Sequence, residues 1–237
     1  MTKQLSKRQK RRADQNRSRI FTIGFVVGGA LLLALALILP NLNKPGQEFV
    51  VPEKVTRPAA DGLTIGDPSA PAKIEVFEDF QCPACAQYSA EIEPLVLENL
   101  VATGKAYYVF NNFAFIDSNS TTKESRGAAN AGLCANEQGL FWEYHDLLFA
   151  NWNGENQGAF SNENLLKFAT ALELDQNEFE ACVKENRYAA DVQASLDLGT
   201  SMGVQGTPSV FVNGTIVRPG FIPSYEDIAA AVEAVQK

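Results

Sequence analysis

The sequence predicts an α/β fold with a block of helices set into it, preceded by one apolar segment long enough to span a membrane. Three observations carry this reading. A strand-like run, Ile74 to Phe80, leads directly into Cys82-Pro83-Ala84-Cys85 and a helical pattern. From Ser118 to about Arg187 the apolar residues recur at helical spacing. Near the C-terminus, Asn213-Gly214 separates two apolar β-like runs ahead of a final helical pattern.

Taken in order, the chain begins with a basic tail. Residues 1–19 hold eight of the twenty Lys and Arg against Asp14 alone, a local charge of +7; from residue 20 onward twelve basic residues face 27 acidic ones, a charge of -15. An acidic body argues against nucleic acid as a partner. Ile20 to Leu39 is twenty residues without a charge, enough to cross a bilayer as a helix, and the basic flank is expected to remain cytoplasmic. A cleaved signal peptide with a small-x-small site at Ala34-Leu35-Ala36 is the competing reading, but the apolar run continues past that site. The expected location is the plasma membrane, single-pass, with the body extracytoplasmic. Residues 40–61, with four prolines and no apolar period, read as a spacer, and Leu63-Thr64-Ile65 as a short edge strand.

Ile74, Val76 and Phe77 alternate with Glu75 and Glu78 as in a strand, and the strand delivers Cys82 to the first turn of a helix. Unpaired N–H groups and the positive end of the helix dipole stabilise a thiolate there, which lowers the thiol pKa. Cys82 is therefore the candidate nucleophile. Cys85, one turn on, is placed to resolve a mixed disulfide formed at Cys82, and Pro83 occupies a position where a helix tolerates proline. Half of a zinc site is the alternative, but the chain has no second C-x-x-C and a single histidine.

After this helix, closed by Thr103-Gly104, Ala106 to Phe110 reads as a second strand. In the helical block, Thr122 to Glu137 is rich in small residues and Phe141 to Phe149 in aromatic ones. Ser161 and Asp175 are plausible N-caps of further helices. His145 has no carboxylate or nucleophile at a telling spacing and is expected to be structural. Cys134 and Cys182, 48 residues apart, are either a structural disulfide, favoured in an oxidising compartment, or two buried free thiols. Gly206-Thr207-Pro208 precedes the hairpin, and Ser224 is a candidate cap for the last helix. The expected division is 62–117 and 191–237 as two parts of one domain, with 118–190 as a helical insertion.

The combined order, with Phe77-Glu78-Asp79-Phe80-Gln81-Cys82-Pro83-Ala84-Cys85 and, over a hundred residues later, Gly206-Thr207-Pro208 before Val210-Phe211-Val212-Asn213-Gly214, resembles the DsbA-like group of thioredoxin-fold thiol:disulfide oxidoreductases. The resemblance implies a thioredoxin fold interrupted by a helical domain, Cys82 as nucleophile, Cys85 as resolving cysteine, a cis peptide bond before Pro208, and substrate pairing to the backbone of Thr207. It also favours pairing Cys134 with Cys182. Related enzymes carry a buried acid six residues before the first cysteine, where this chain has Val76; Glu78, of the same strand parity, is the candidate for proton transfer.

The implied activity is introduction of disulfides into reduced, unfolded exported proteins, with reoxidation by a quinone-linked membrane partner of DsbB or vitamin-K-epoxide-reductase type. No metal or organic cofactor is required. The rivals are a membrane-anchored reductase or isomerase, since Pro83-Ala84 replaces the histidine-containing dipeptide of strongly oxidising relatives, and a non-catalytic binding or chaperone module on the same fold.

Overall fold

The computed structural model describes residues 28–29 and 49–236. The predicted membrane segment therefore lies outside the described residues except for Gly28 and Gly29, which are helical. Among the described residues no helix is long and apolar enough to cross a membrane.

Among the described residues six strands form one sheet in the order β1-β2-β4-β3-β5-β6. They are β1 (Ala60–Asp61), β2 (Thr64–Ile65), β3 (Ala72–Glu78), β4 (Ala106–Asn112), β5 (Ser209–Val212) and β6 (Thr215–Val217). Central β3 pairs parallel with β4, Val76 opposite Phe110, and antiparallel with β5, Val76 opposite Val210. Its position in the middle explains its composition: Ala72, Ile74, Val76 and Phe77 are all fully buried. Asn213 (φ 45°) and Gly214 (φ 77°) form the two-residue turn between β5 and β6, where positive φ at both positions suits the twist of a hairpin.

Two expectations for the N-terminal side change. Leu63-Thr64-Ile65 is not at the edge, because Ala60–Asp61, assigned to the spacer, pairs outside β2 as the terminal strand. The rest of the spacer that is described, although irregular, sends the Arg57 side chain into the body, where it is 6% exposed.

The C-x-x-C helix is broken. α1 (Pro83–Glu91) is followed by the single turn α2 (Glu93–Val96) and a π-helical turn, Leu97–Val101. Pro94 supplies the reason: it has no N–H to donate to the carbonyl four residues back, so the ladder is interrupted at Ile92, whose φ is -110°.

Between β4 and β5 lie a 3-10 turn at Ile116–Asn119 and five helices, α3 (Glu124–Asn136), α4 (Phe141–Ala150), α5 (Asn162–Ala171), α6 (Gln176–Glu185) and α7 (Ala189–Ser201). α3 packs against α4, α5, α6 and α7 and is the hub of the insertion. Ser161 and Asp175 cap α5 and α6 with their side chains, as expected from their residue type. The sequence pattern predicts no helix at α7, which runs across residue 190, the expected end of the helical block. It lies on β4, and Gly199 is what permits the approach: a Cβ there would come within 2.6 Å of the Phe113 ring. Phe77, Phe113, Val204 and Phe211 form the core on this side of the sheet, with Phe77 edge-on to Phe113 and Phe211. Each such buried side chain contributes about 1.5–3 kcal/mol. Helix α8 (Tyr225–Val235) closes the chain, with Ser224 and Asp227 forming a reciprocal capping box.

Cys134 of α3 and Cys182 of α6 are joined in a disulfide, with Cα atoms 5.9 Å apart and both residues fully buried. Cys82 and Cys85 are free thiols, so the structure is that of the dithiol form.

Candidate active site

The turn after β3 places Cys82 at the N-cap of α1, in an extended conformation (φ -78°, ψ 122°), with Pro83 in the first helical turn. The Cys82 amide donates to the Asp79 carbonyl at 2.9 Å, which fixes the turn. Cys82 is 7% exposed and Cys85, one turn deeper, is fully buried.

Their electrostatics diverge. The Cys85 thiol donates to Cys82 sulfur, the backbone N–H groups of Cys85 and Ala84 and the Thr207 side chain also favour the anion, and together they outweigh burial and pull the Cys82 thiol from 9.0 down to about 6. Burial, the neighbouring Cys82 and the charge of Glu78 push Cys85 well above its ordinary value. In its thiol form Cys82 Sγ donates to the Thr207 carbonyl at 3.3 Å. The Thr207–Pro208 peptide bond is cis. The C-x-x-C turn and the loop before β5, 125 residues apart in sequence, are thus in contact.

Alkylation of the reduced chain is therefore expected to be half-maximal near pH 6 and to plateau below pH 8, read as the rate with iodoacetamide; a rise only through pH 8 to 9 would show an ordinary thiol. Because the folded value lies below the unfolded one, ionised Cys82 stabilises the reduced fold fully only above about pH 9. That stabilisation is lost as pH falls through about 6.

Polar residues with no obvious role in the sequence bolt the turn to the helical insertion. Asp79 Oδ1 accepts from the Gln81 amide at 2.9 Å and the Ser125 hydroxyl at 2.6 Å, and Oδ2 accepts from the Ile116 amide at 3.1 Å. Burial nevertheless pushes the Asp79 carboxyl up to about 6. Gln81 donates to Ser125 and Asp117, its side-chain oxygen accepts from the Asn156 amide, and its carbonyl accepts from Trp152 Nε1 at 2.6 Å. Their only signal in the sequence is polarity within an otherwise apolar strand end.

Beneath the cysteines, Glu78 is 1% exposed, and neither carboxylate oxygen has a hydrogen-bond donor within range among the described residues. Burial is the main cause of its carboxyl being raised to about 7, with His145 the chief opposing influence. The expectation for His145 is corrected in one respect: the fold brings carboxylates to it that sequence spacing did not, with Glu78 and Glu93 each 3.8 Å from Nε2. Glu78, Glu93 and His145 are the group of metal-ligating type among the described residues, with one donor atom each within 4.8 Å of the others. The group is sealed from solvent, and Arg57 and the imidazolium already supply compensating charge, so it reads as a charge cluster. Neither cysteine belongs to a group of that kind among the described residues.

The site is therefore an exposed-side thiolate, a buried thiol behind it and a buried carboxyl that titrates near neutrality. Such a set has the groups that thiol–disulfide exchange with internal proton transfer requires. A thioredoxin family profile matches residues 59–234. The chain is 25% identical over 211 residues to a probable disulfide bond formation protein D of Bacillus anthracis, covering 86% of this chain and 92% of that one. It is 35% identical over 149 residues to a Na(+)/H(+) antiporter NhaA 3 of Salinispora tropica, covering 63% of this chain but only 21% of the antiporter. In fold it is similar to oxidised BdbD from Bacillus subtilis, with a TM-score of 0.64, 22% identity, and coverage of 73% of this chain and 92% of that one. The chain belongs to the thioredoxin family, as a DsbA-like thiol:disulfide oxidoreductase.

Proposed function

We propose that this chain is a membrane-anchored, extracytoplasmic disulfide donor acting through Cys82 and Cys85 on reduced, unfolded exported proteins. The observation that carries the direction is the asymmetry of the pair. A Cys82 thiol held near pH 6 stabilises the dithiol relative to the disulfide at neutral pH, so the disulfide is readily given away. The basic tail and uncharged run at residues 1–39 support the anchor.

In the donor direction a substrate thiolate attacks Cys82 sulfur. The Cys82–Cys85 bond breaks, its electron pair goes to Cys85, and Cys85 takes the proton held by Glu78. A second substrate thiolate then attacks the substrate sulfur of the mixed disulfide, and Cys82 leaves as a thiolate. The substrate loses two electrons and two protons overall, and the enzyme gains the electrons as a dithiol. A quinone-linked membrane partner of DsbB or vitamin-K-epoxide-reductase type returns it to the disulfide. The carbonyl of Thr207, beside Cys82 and next to Pro208, is available to pair with an extended substrate backbone, a mode that confers little sequence specificity.

The test is the equilibrium redox potential of the full chain, purified in detergent and titrated against glutathione, with alkylation of Cys82 and Cys85 as readout. The bonded Cys134–Cys182 pair does not contribute to the signal. A value near or above about -150 mV is expected. A value near the thioredoxin end, about -270 mV, makes a reductase the working reading instead.

A further inference from the structure

Glu78 is placed by the same strand that positions Cys82, but the charges around it come from elsewhere. From α4, His145 Nε2 lies 3.8 Å from Glu78 Oε2 and 3.8 Å from Glu93 Oε2, while Nδ1 is 3.0 Å from Asp146 Oδ1. Asp146 is gripped by both terminal nitrogens of Arg57, at 2.9 and 2.6 Å, and the second of these also reaches Glu93 Oε1 at 3.1 Å. The guanidinium lies over the Trp142 ring, 5.0 Å from its centroid. The imidazole is packed among Phe149, Trp142 and Phe110, with centroids 4.8, 5.2 and 5.3 Å away, so its orientation is held by shape as well as charge.

Counting the charges that face Glu78 gives the chemistry. Cys82, Cys85 and Tyr88 approach from α1, Glu93 from α2, Tyr108 from β4, His145 and Asp146 from α4, and Arg57 from the segment before β1. Burial keeps both tyrosines neutral. Bonded in a mixed disulfide, Cys82 carries no charge, and burial keeps Cys85 a thiol, so three carboxyl groups remain against Arg57 and His145. With Glu78 protonated the cluster is neutral, and with Glu78 ionised it carries a single net negative charge. Without the imidazolium the ionised cluster would carry two, in a sealed site where an uncompensated charge is costly.

We propose that His145 is a positioning residue for the exchange reaction: its imidazolium, locked by Asp146 and Arg57, keeps Glu78 able both to give a proton to Cys85 and to take it back. The proposal rests on Cys82 and Cys85 being the exchanging pair. It assigns a role in proton transfer to a residue of the helical insertion, and a supporting one to the segment that precedes the fold. The protonation states agree: burial disfavours the imidazolium, but Glu93, Asp146 and Glu78 outweigh it and hold His145 at about 9, against about 7 for Glu78.

The step that needs ionised Glu78 is attack by Cys85. Its proton passes to the Glu78 carboxylate, its sulfur bonds to Cys82 sulfur, and the bound thiol leaves as a thiolate carrying the electron pair of the broken mixed disulfide. The experiment uses the full chain as a Cys82 mixed disulfide with glutathione and follows glutathione release from pH 5 to 9 in the native protein and in His145→Gln. The midpoint is expected to move up by about one pH unit, which makes release about fivefold slower at pH 7 and about tenfold slower at pH 5. Folded His145→Gln with an unchanged profile overturns the proposal. If no mixed disulfide forms with the native chain, it is the exchange reading that fails, and the second measurement decides on His145 by itself. His145 is the only histidine in the chain, so its ring nitrogens give one unambiguous pair of NMR signals. An imidazolium at pH 7 whose shifts also sense a titration near 7, absent in Glu78→Gln, is the expected result. A neutral ring at pH 7, whether bare or bound to an ion detected by mass spectrometry of the native protein, overturns it.

Discussion

Cys82→Ser is expected to reduce disulfide transfer to the uncatalysed background. Serine preserves the size of the side chain and its reach to the Thr207 carbonyl, 3.3 Å from Cys82 sulfur, but its hydroxyl neither ionises near neutrality nor forms a disulfide. The favourable environment is built for a soft anion: the N-terminal N–H groups of α1 and the thiol of Cys85. Cys85→Ser is expected to behave differently. Cys82 remains reactive and captures substrate or glutathione, but no internal thiol resolves the adduct, and mixed disulfide accumulates. Recovery of activity in a reduced, unfolded disulfide protein measures the first effect, and non-reducing electrophoresis or intact mass the second. Transfer activity surviving in Cys82→Ser would sink the catalytic assignment and favour a binding module on the same fold.

Replacing both Cys134 and Cys182 with alanine is expected to cost about 4 kcal/mol of stability by the loop-entropy model for a bridge that closes a 48-residue separation. In a folded unit of this size, that corresponds to a Tm lower by roughly 8 to 16 °C. The paired substitution avoids leaving two buried thiols, and alanine suits positions that are fully buried between α3 and α6. The bridge ties the hub helix of the insertion to the helix that follows α5, and it involves neither Cys82 nor Cys85. Exchange at 25 °C should therefore persist while thermal unfolding, followed by circular dichroism, shifts down. An unchanged Tm would mean that the bridge does not restrain the chain, and the two residues would then be read as small core side chains.

Local chemistry was legible wherever it is written in neighbouring residues. A β-pattern feeding Cys82-Pro83-Ala84-Cys85 determined where a thiol meets the N-terminus of a helix, because period and position suffice for that. Ser161, Asp175 and Ser224 marked helix starts through side chains that satisfy amides two or three residues on. Asn213-Gly214 marked the hairpin because both residues tolerate positive φ. α7 was less legible: in its last turn Gly199 is a poor helix former, and it is there that the helix meets Phe113, the residue after β4.

What only the tertiary structure decided depends on residues far apart in the chain. Arg57, Glu78, Glu93 and His145 come from the segment before β1, the central strand, the single turn α2 and the inserted helices, and no spacing connects them. In the sequence His145 stands in an aromatic-rich helix beside Asp146, and Arg57 in a proline-containing segment. Their meaning arises when folding excludes water, for then each charge must find its counter-charge or give up its proton, and the value at which Glu78 titrates is fixed by that enclosure and not by its own chemistry.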